Sequence, residues 1–245
     1  MHKWKWIIWN LMGFLLCVTG IGIIGMTLVK ANFDVNAFQT GVFEENTYDV
    51  EEIVTGLSIK LNTEDVSVVT SSDDKVRVTF YEDEKEKHQV KVEDGVLSVT
   101  SADAREWHET FGFFAQSPSV VIELPKAIYG EISIETNTGE MEISDVTCEK
   151  LNLKVNTGDI ELTRVIANEE MRVKTNTGDI EFDECDAGSV YVDAVTGSVD
   201  GNFLTEKRFK AKTSTGSVRI PDTTTGGICE ITTRTGDICV EITKK

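Results

Sequence analysis

The sequence predicts an all-β protein folded as a single-stranded β-solenoid, a β-helix-like stack of coils of 19–20 residues. Thr-Gly followed by a small or acidic residue recurs with steps of 19, 20, 19, 19 and 20 residues from glycine to glycine. Independent turns of a globular domain would not keep such a period, whereas stacked coils do. The six sites are Thr138-Gly139-Glu140, Thr157-Gly158-Asp159, Thr177-Gly178-Asp179, Thr196-Gly197-Ser198, Thr215-Gly216-Ser217 and Thr235-Gly236-Asp237.

Apolar residues alternate with polar residues on both sides of each glycine, which indicates a strand, a turn and a second strand. Around Gly158, for example, Leu151 and Leu153 precede the turn, and Ile160 and Leu162 follow it. We expect these alternating side chains to face the interior of the solenoid. A further apolar residue, seven positions after the glycine, should fill the second corner of each coil: Val146, Val165, Cys185 and Leu204.

The recurring Thr-Gly pair fits a tight turn, because glycine adopts a positive φ without steric cost and a neighbouring Asn, Asp or Ser can bond the turn backbone. Asn137, Asn156 and Asn176, which precede the Thr, fit that role. Asp159, Asp179 and Asp237 could alternatively form a ladder of calcium ligands. Ser198 and Ser217 occupy the same position, and the spacing differs from that of calcium-binding nonapeptide repeats. We therefore favour turn chemistry.

The regular repeats occupy residues 132–245, and residues 53–131 carry a degenerate version of the pattern. Asn62-Thr63-Glu64 stands where a Thr-Gly turn would be expected, so we interpret this unit as a degenerate outer coil. A hairpin is predicted around Asp94-Gly95, and residues 31–52 are predicted to be a linker.

Two segments are candidates for the ends of the solenoid. An aromatic loop within residues 53–131 could cover one open end or form an exposed surface for a partner: Trp107, Phe111, Phe113 and Phe114. The last strand, Ile238 to Thr243, is expected to be the other end, where Lys244 and Lys245 would discourage edge-to-edge pairing or where copies and partners could pair.

An anchor is predicted in residues 1–30, because Leu11–Val29 is a run of nineteen residues without a charge. Such a run is long enough to cross a bilayer core of about 30 Å as a helix. Lys3 and Lys5 precede it, which predicts a single-pass protein in the cell membrane with a cytoplasmic amino end and an extracellular repeat domain. A cleaved signal peptide and a lipoprotein site at Cys17 are the alternatives.

The net charge of the chain narrows its possible partners. The chain has 24 basic and 42 acidic residues and a net charge of −18, which argues against nucleic acid as a partner.

The cysteines are predicted to be free. Cys185 and Cys229 fall at inward positions of the repeat, and the cysteine spacing is irregular. We therefore expect buried free thiols that pack as small apolar residues rather than structural disulfides.

The sequence contains none of the common catalytic motifs. The chain has 3 histidines and lacks His-Glu-x-x-His, a phosphate loop and Gly-x-Ser-x-Gly. Paired carboxylates could in principle serve a wall-polysaccharide hydrolase, but we interpret these acids as solvated surface residues. We expect no catalytic residues, no cofactor and no enzymatic activity.

The outward columns of the repeat carry the candidate binding residues. One strand of each coil should present a carboxylate ladder, Glu142, Glu161, Glu181 and Asp200. This ladder could recruit divalent cations or cationic peptides, or it could serve only solubility. The other strand should present a mainly basic strip that could meet anionic cell-wall polymers: Lys154, Arg172, Lys174, Lys210 and Lys212.

The stretch from Val120 through Glu123-Leu124-Pro125 and Tyr129 into Asn137-Thr138-Gly139 resembles a bacterial family of candidate adhesins, a domain family of unknown function. The resemblance covers about residues 50–245. It implies an envelope protein with a β-repeat domain, and some members accompany the Lia-type cell-envelope stress-response system. It implies no catalytic residues.

These observations favour a non-enzymatic, membrane-anchored extracellular binding protein, either adhesin-like or an accessory of the envelope stress response. Its partner could be a cell-wall polymer, a cationic peptide or another envelope protein. A membrane regulatory partner of an envelope sensor is the alternative, because Asn10, Gly13, Gly20 and Gly25 could support close helix packing.

Overall fold

The computed structural model describes residues 43–83, 86–103 and 118–243. These residues belong to one compact unit, Phe43–Glu106 with Ser117–Lys245. Within this described part, no helix is long and apolar enough to cross a membrane. The predicted anchor at Leu11–Val29, the aromatic loop with Trp107, Phe111, Phe113 and Phe114, and the terminal pair Lys244 and Lys245 lie outside the described residues.

The described chain forms eighteen strands, which confirms the all-β prediction. The strands are β1 (Phe43–Val50), β2 (Gly56–Lys60), β3 (Asp65–Thr70), β4 (Val76–Asp83), β5 (Glu86–Glu93), β6 (Val96–Asp103), β7 (Ser119–Leu124), β8 (Ile128–Thr138), β9 (Met141–Ser144), β10 (Thr147–Thr157), β11 (Ile160–Thr163), β12 (Ile166–Thr177), β13 (Ile180–Thr196), β14 (Val199–Phe203), β15 (Lys207–Thr215), β16 (Val218–Arg219), β17 (Gly227–Thr235) and β18 (Ile238–Ile242).

Two mainly parallel sheets stack the coils. The first sheet has the order β1-β4-β7-β3-β9-β11-β13-β14-β18-β16. The second sheet has the order β5-β6-β2-β8-β10-β12-β13-β17-β15. The 17-residue strand β13 contributes its first part to the first sheet and its last part to the second.

The inward columns predicted from the sequence form the core. Leu151, Leu153, Ile160 and Leu162 are all buried. At the second corner Val146, Val165 and Cys185 are also buried, as expected. Leu204 is only half-buried, and Phe203 takes its place opposite Cys185, because β13 and β14 shift register between Phe182 and Cys185.

The Thr-Gly turns are required by backbone conformation and by the close approach of neighbouring coils. Gly197 has φ +148°, and a Cβ there would lie 1.9 Å from the carbonyl oxygen of Gly178. The carboxylates of Asp159 and Asp179 accept hydrogen bonds of 2.7 Å from the backbone N–H groups of Asp179 and Ser198, respectively. Turn chemistry is thus confirmed, and the aspartates bond the turn of the adjacent coil rather than their own.

The stacking order departs from the chain order at the carboxyl-terminal end. The coil formed by β17 and β18, which we name the inserted coil, lies between β13 and β14 on one side and β15 and β16 on the other. The prediction that Ile238 to Thr243 ends the solenoid is therefore wrong, because β18 has a neighbour on each side. The outermost coil is formed by β15 and β16, which we name the end coil.

A second exchange occurs at the amino-terminal end. The coil of β2 and β3, which contains Glu64 in place of glycine, lies between β6 and β7 on one side and β8 and β9 on the other. The interpretation of this unit as an outer coil is therefore wrong. The antiparallel strands β1, β4 and β5 extend the stack beyond it. β5 and β6 form the hairpin predicted around Asp94-Gly95, and β1 lies within the segment predicted to be a linker.

The four cysteines in the described residues are free thiols, in agreement with the prediction. Burial raises the pKa of Cys148 and of Cys229 to about 12, and that of Cys185 to about 11. These thiols therefore stay protonated at neutral pH and pack as apolar groups.

Candidate functional site

The outer face of the second sheet gathers most of the predicted basic strip. Asn152, Arg172 and Tyr191 lie side by side on β10, β12 and β13, and Glu230 of the inserted coil follows Tyr191. Lys210 comes only after Glu230, on the end coil. A second column two residues further along each strand holds Glu135, Lys154, Lys174, Asp193, Thr232 and Lys212.

Three lysines of this face have acidic partners on neighbouring strands. Lys154 pairs with Glu135, Lys174 with Asp193 at 3.1 Å, and Lys210 with Glu230 at 2.9 Å. The surface therefore alternates positive and negative charge instead of presenting an uninterrupted cationic strip. All these side chains are well exposed, so the pairs are weak and can be exchanged for a ligand at little cost.

Arg172 and Tyr191 contact each other on this face. The guanidinium carbon of Arg172 lies 4.5 Å from the centre of the Tyr191 ring, within the range of a cation–π contact. Glu170 accepts two hydrogen bonds from Arg172, at 2.6 and 2.7 Å, and these bonds raise the pKa of the guanidinium. The two planar groups thus form a platform on the outer face of the sheet.

A groove of about 540 Å³ crosses β8, β10, β12, β13 and β17 over this platform. Arg172 and Tyr191 line it, together with Lys154, Lys174 and Asp193. The groove offers aromatic and guanidinium planes, ammonium donors and carboxylate acceptors within one surface. Such a surface can bind an extended chain that carries anionic groups and hydroxyls.

The acidic ladder on the first sheet has the predicted register. Glu142, Glu161, Glu181 and Asp200 lie on adjacent strands. The next residue after Asp200 is Cys239 of the inserted coil, although Arg219 holds the equivalent position in the next coil along the chain. Partial burial and the nearby carboxylates of Asp179, Glu181 and Asp237 raise the pKa of Asp200. Among the described residues, no group of three or more His, Cys, Asp or Glu side chains is arranged to hold a metal ion.

The pair formed by Glu64 and His88 in the core was not predicted from the sequence. The side chains of Glu64 and His88 are 1% and 2% exposed, and Glu64 Oε1 lies 3.0 Å from His88 Nε2. The His88 ring stacks on Phe80 at 4.3 Å. The sequence feature that could have indicated this pair is Glu64, an acidic residue at the repeat position that glycine occupies in the regular coils. Because the pair is closed off from solvent, it supports the fold rather than a reaction.

The sequence profile of the Toastrack family DUF4097 matches residues 54–245, which includes every strand from β2 to β18. The chain belongs to the Toastrack family. No curated protein matches this Toastrack chain in sequence.

Solved structures are similar to the Toastrack chain at low sequence identity. A crystal structure described as a candidate cell adhesion protein from Clostridium sporogenes is 15% identical, with a TM-score of 0.51, over 82% of this chain and 100% of that one. A candidate adhesin from Bacteroides fragilis is 14% identical, with a TM-score of 0.38, over 82% and 97% of the two chains. A candidate lipid binding protein from Parabacteroides distasonis is 10% identical, with a TM-score of 0.31, over 83% and 98%. The first of these similarities shows a common fold.

Proposed function

We propose that this Toastrack protein is a non-enzymatic, adhesin-like binding protein of the cell envelope. In this proposal Leu11–Val29 anchors the chain in the cell membrane, and the solenoid lies outside the cell. The description of the Clostridium sporogenes protein as a cell adhesion protein supports the assignment. An accessory role in the envelope stress response, suggested by the resemblance to Lia-type proteins, is compatible with the same anchored arrangement.

The observation that carries the proposal is the groove with the Arg172–Tyr191 platform on the second sheet. Its ligand in this proposal is an anionic cell-wall polymer. Phosphate groups of the polymer would bind Lys154 and Lys174 in exchange for their carboxylate partners, and the polymer backbone would lie across Tyr191. Because the ammonium groups contact a polyanion, added salt should weaken binding.

The buried reactive groups support a non-enzymatic role. Cys148, Cys185 and Cys229 are buried, with pKa values raised to about 12, 11 and 12, and the His88–Glu64 pair is shielded from solvent. None of these groups can meet a polymer on the surface.

The test is binding of the full-length chain, in detergent, to fluorescent poly(glycerol phosphate), with neutral dextran as the comparison polymer. Arg172→Ala and Tyr191→Ala should each weaken poly(glycerol phosphate) binding about tenfold, and dextran should not bind. Arg219→Ala is the matched control, because Arg219 is an exposed arginine on the other sheet. Equal effects of all three substitutions, or none, would contradict the proposal.

The regulatory alternative has a separate test. An unrelated transmembrane span in place of Leu11–Val29 should leave polymer binding unchanged if the solenoid face is the functional surface. If the exchange abolishes an envelope-stress phenotype while polymer binding persists, the helix is the functional element.

A further inference from the structure

The end coil leaves one edge of the second sheet open. β15 pairs with β17 along one side, and no other strand in the described ranges pairs with its second side. The strand has 9 residues, Lys207–Thr215. An edge strand of this length presents a row of unpaired N–H and C=O groups to any extended chain that approaches it.

The interior side of the end coil is incompletely covered. Phe209, Ala211 and Thr213 are only half-buried, and Val218 is 43% exposed. The corresponding residues of the inserted coil are Cys229, Ile231, Thr233 and Ile238, all at most 5% exposed. One more strand laid against the end coil would therefore bury apolar surface that now meets water.

The outward side chains of the end coil are basic. Arg208, Lys210 and Lys212 alternate along β15 with the half-buried inward residues, and Arg219 follows on β16. Residues 206–222 contain five basic and two acidic residues, within a chain of net charge −18. Two copies of β15 placed edge to edge would bring these cations together, which disfavours a symmetric pair of end coils.

We propose that β15 accepts an extended acidic segment of a partner protein as an additional strand. The carboxylates of that segment would face Arg208, Lys210 and Lys212, and its alternate apolar side chains would cover Phe209 and Ala211. Main-chain hydrogen bonds then supply affinity, and the alternation of acidic and apolar residues supplies specificity. The groove ends on β17, and none of Arg208, Lys210 and Lys212 lines it, so the two proposals can fail independently.

The probe is a fluorescent nonapeptide of alternating glutamate and valine, titrated into the full-length chain in detergent and followed by anisotropy. A lysine–valine peptide of the same length is the control. We expect the acidic peptide to bind and Lys212→Glu to weaken it about fivefold. Lys126→Glu, an exposed lysine in the loop before β8, should have no effect. Thermal unfolding of each variant verifies the fold, and Lys212→Gln, which should weaken binding less, replaces Lys212→Glu if that variant is unstable.

Hydrogen exchange locates the bound peptide. Amides of residues 207–215 should gain protection when the acidic peptide is added. Protection elsewhere, equal binding of the lysine–valine peptide, or insensitivity to Lys212→Glu would overturn the proposal. Self-association of the chain that Lys212→Glu abolishes would assign the edge to a second copy and would also overturn it.

Discussion

Lys207 on β15 forms an ion pair with Asp186 on β13, although β17 lies between these two strands. The register partner of Lys207 on β17 is Gly227, which has no side chain to obstruct the contact. The Lys207 side chain is 2% exposed, and its ammonium also donates to the hydroxyl of Thr205. The pair therefore ties the end coil to the coil beyond the inserted one.

Lys207→Ala should destabilise the protein by about 3 kcal/mol, because Asp186 would remain largely buried without its counter-ion. Urea unfolding of the purified chain measures the change in the free energy of unfolding. The control is Lys212→Ala on the same strand, an exposed position where we expect a change below about 0.5 kcal/mol. A similar loss for both variants would show that the contact with Asp186 is not the cause.

Gly197→Ala should destabilise the protein by at least about 3 kcal/mol or prevent folding. The residue has φ +148°, and the added Cβ would lie 1.9 Å from a backbone oxygen that cannot move away. Gly130→Ala is the matched control, since the nearest atom to its Cβ would be 3.4 Å away. Thermal unfolding followed by circular dichroism compares the two. If Gly197→Ala behaved like Gly130→Ala, the close stacking of the turns would be incorrect.

Glu161→Gln should stabilise the protein by a few tenths of a kcal/mol, roughly the repulsion between exposed like charges. Glu161 lies between Glu142 and Glu181 in the acidic ladder. The gain should shrink in high salt, because salt screens the repulsion that the substitution removes. Glu230→Gln, which removes the partner of Lys210, should bring no gain. Denaturant midpoints at low and high salt provide the measurement.

The buried Glu64 makes part of the stability depend on pH. Burial alone would raise its pKa, but hydrogen bonds from His88, Asn62 and Thr63 outweigh burial and hold the pKa below its ordinary value of 4.5. A carboxyl group whose pKa is lowered on folding stabilises the fold above that ordinary value, and this contribution is lost as the pH falls through the folded-state pKa.

Glu64→Gln should therefore cost about 3 kcal/mol at pH 7, and the difference from the wild type should shrink below pH 4.5. Unfolding by urea across this pH range measures it. The exposed Glu45→Gln serves as the reference for general acid effects. A difference that stayed constant with pH would rule out the charged form of Glu64 as the stabilising species.

The period of the repeat was sufficient to predict the coil and its two faces. Because a strand alternates strictly, the spacing from each glycine placed Leu151 and Ile160 inside and Glu161 outside, as the structure has them. Turn chemistry was predicted correctly, but the backbone-bonding role was expected of the asparagines before each Thr-Gly pair. Asp159 and Asp179 fill that role across to the next coil, whereas Asn176 donates a hydrogen bond to the side chain of Asn156.

The order of the coils could not be read from the period, because any coil of this repeat can pair with any other. The observed order agrees with the burial each coil can supply: the inserted coil contributes Ile231, Ile238 and Val240 to the core, whereas the end coil places the charged Lys207 and the small Ala211 at inward positions beside Phe209. The more apolar coil takes the inner place. For the same reason, Asp200 meets Cys239 and Tyr191 meets Glu230, two neighbours that chain order does not predict.

The exchange of the last two coils has a consequence for biosynthesis. Residues 207–219 leave the ribosome before residues 227–242, yet they need the later segment as the surface on which to pack. The earlier coils can dock one after another during translation, but the end coil must wait until the chain has been extended past it. A chain interrupted before residue 227 would therefore lack the inserted coil, which is an interior layer of the stack, rather than the outermost coil. Its end coil would have no inserted coil to pack on, so a truncated chain would differ from a complete chain in its folded structure.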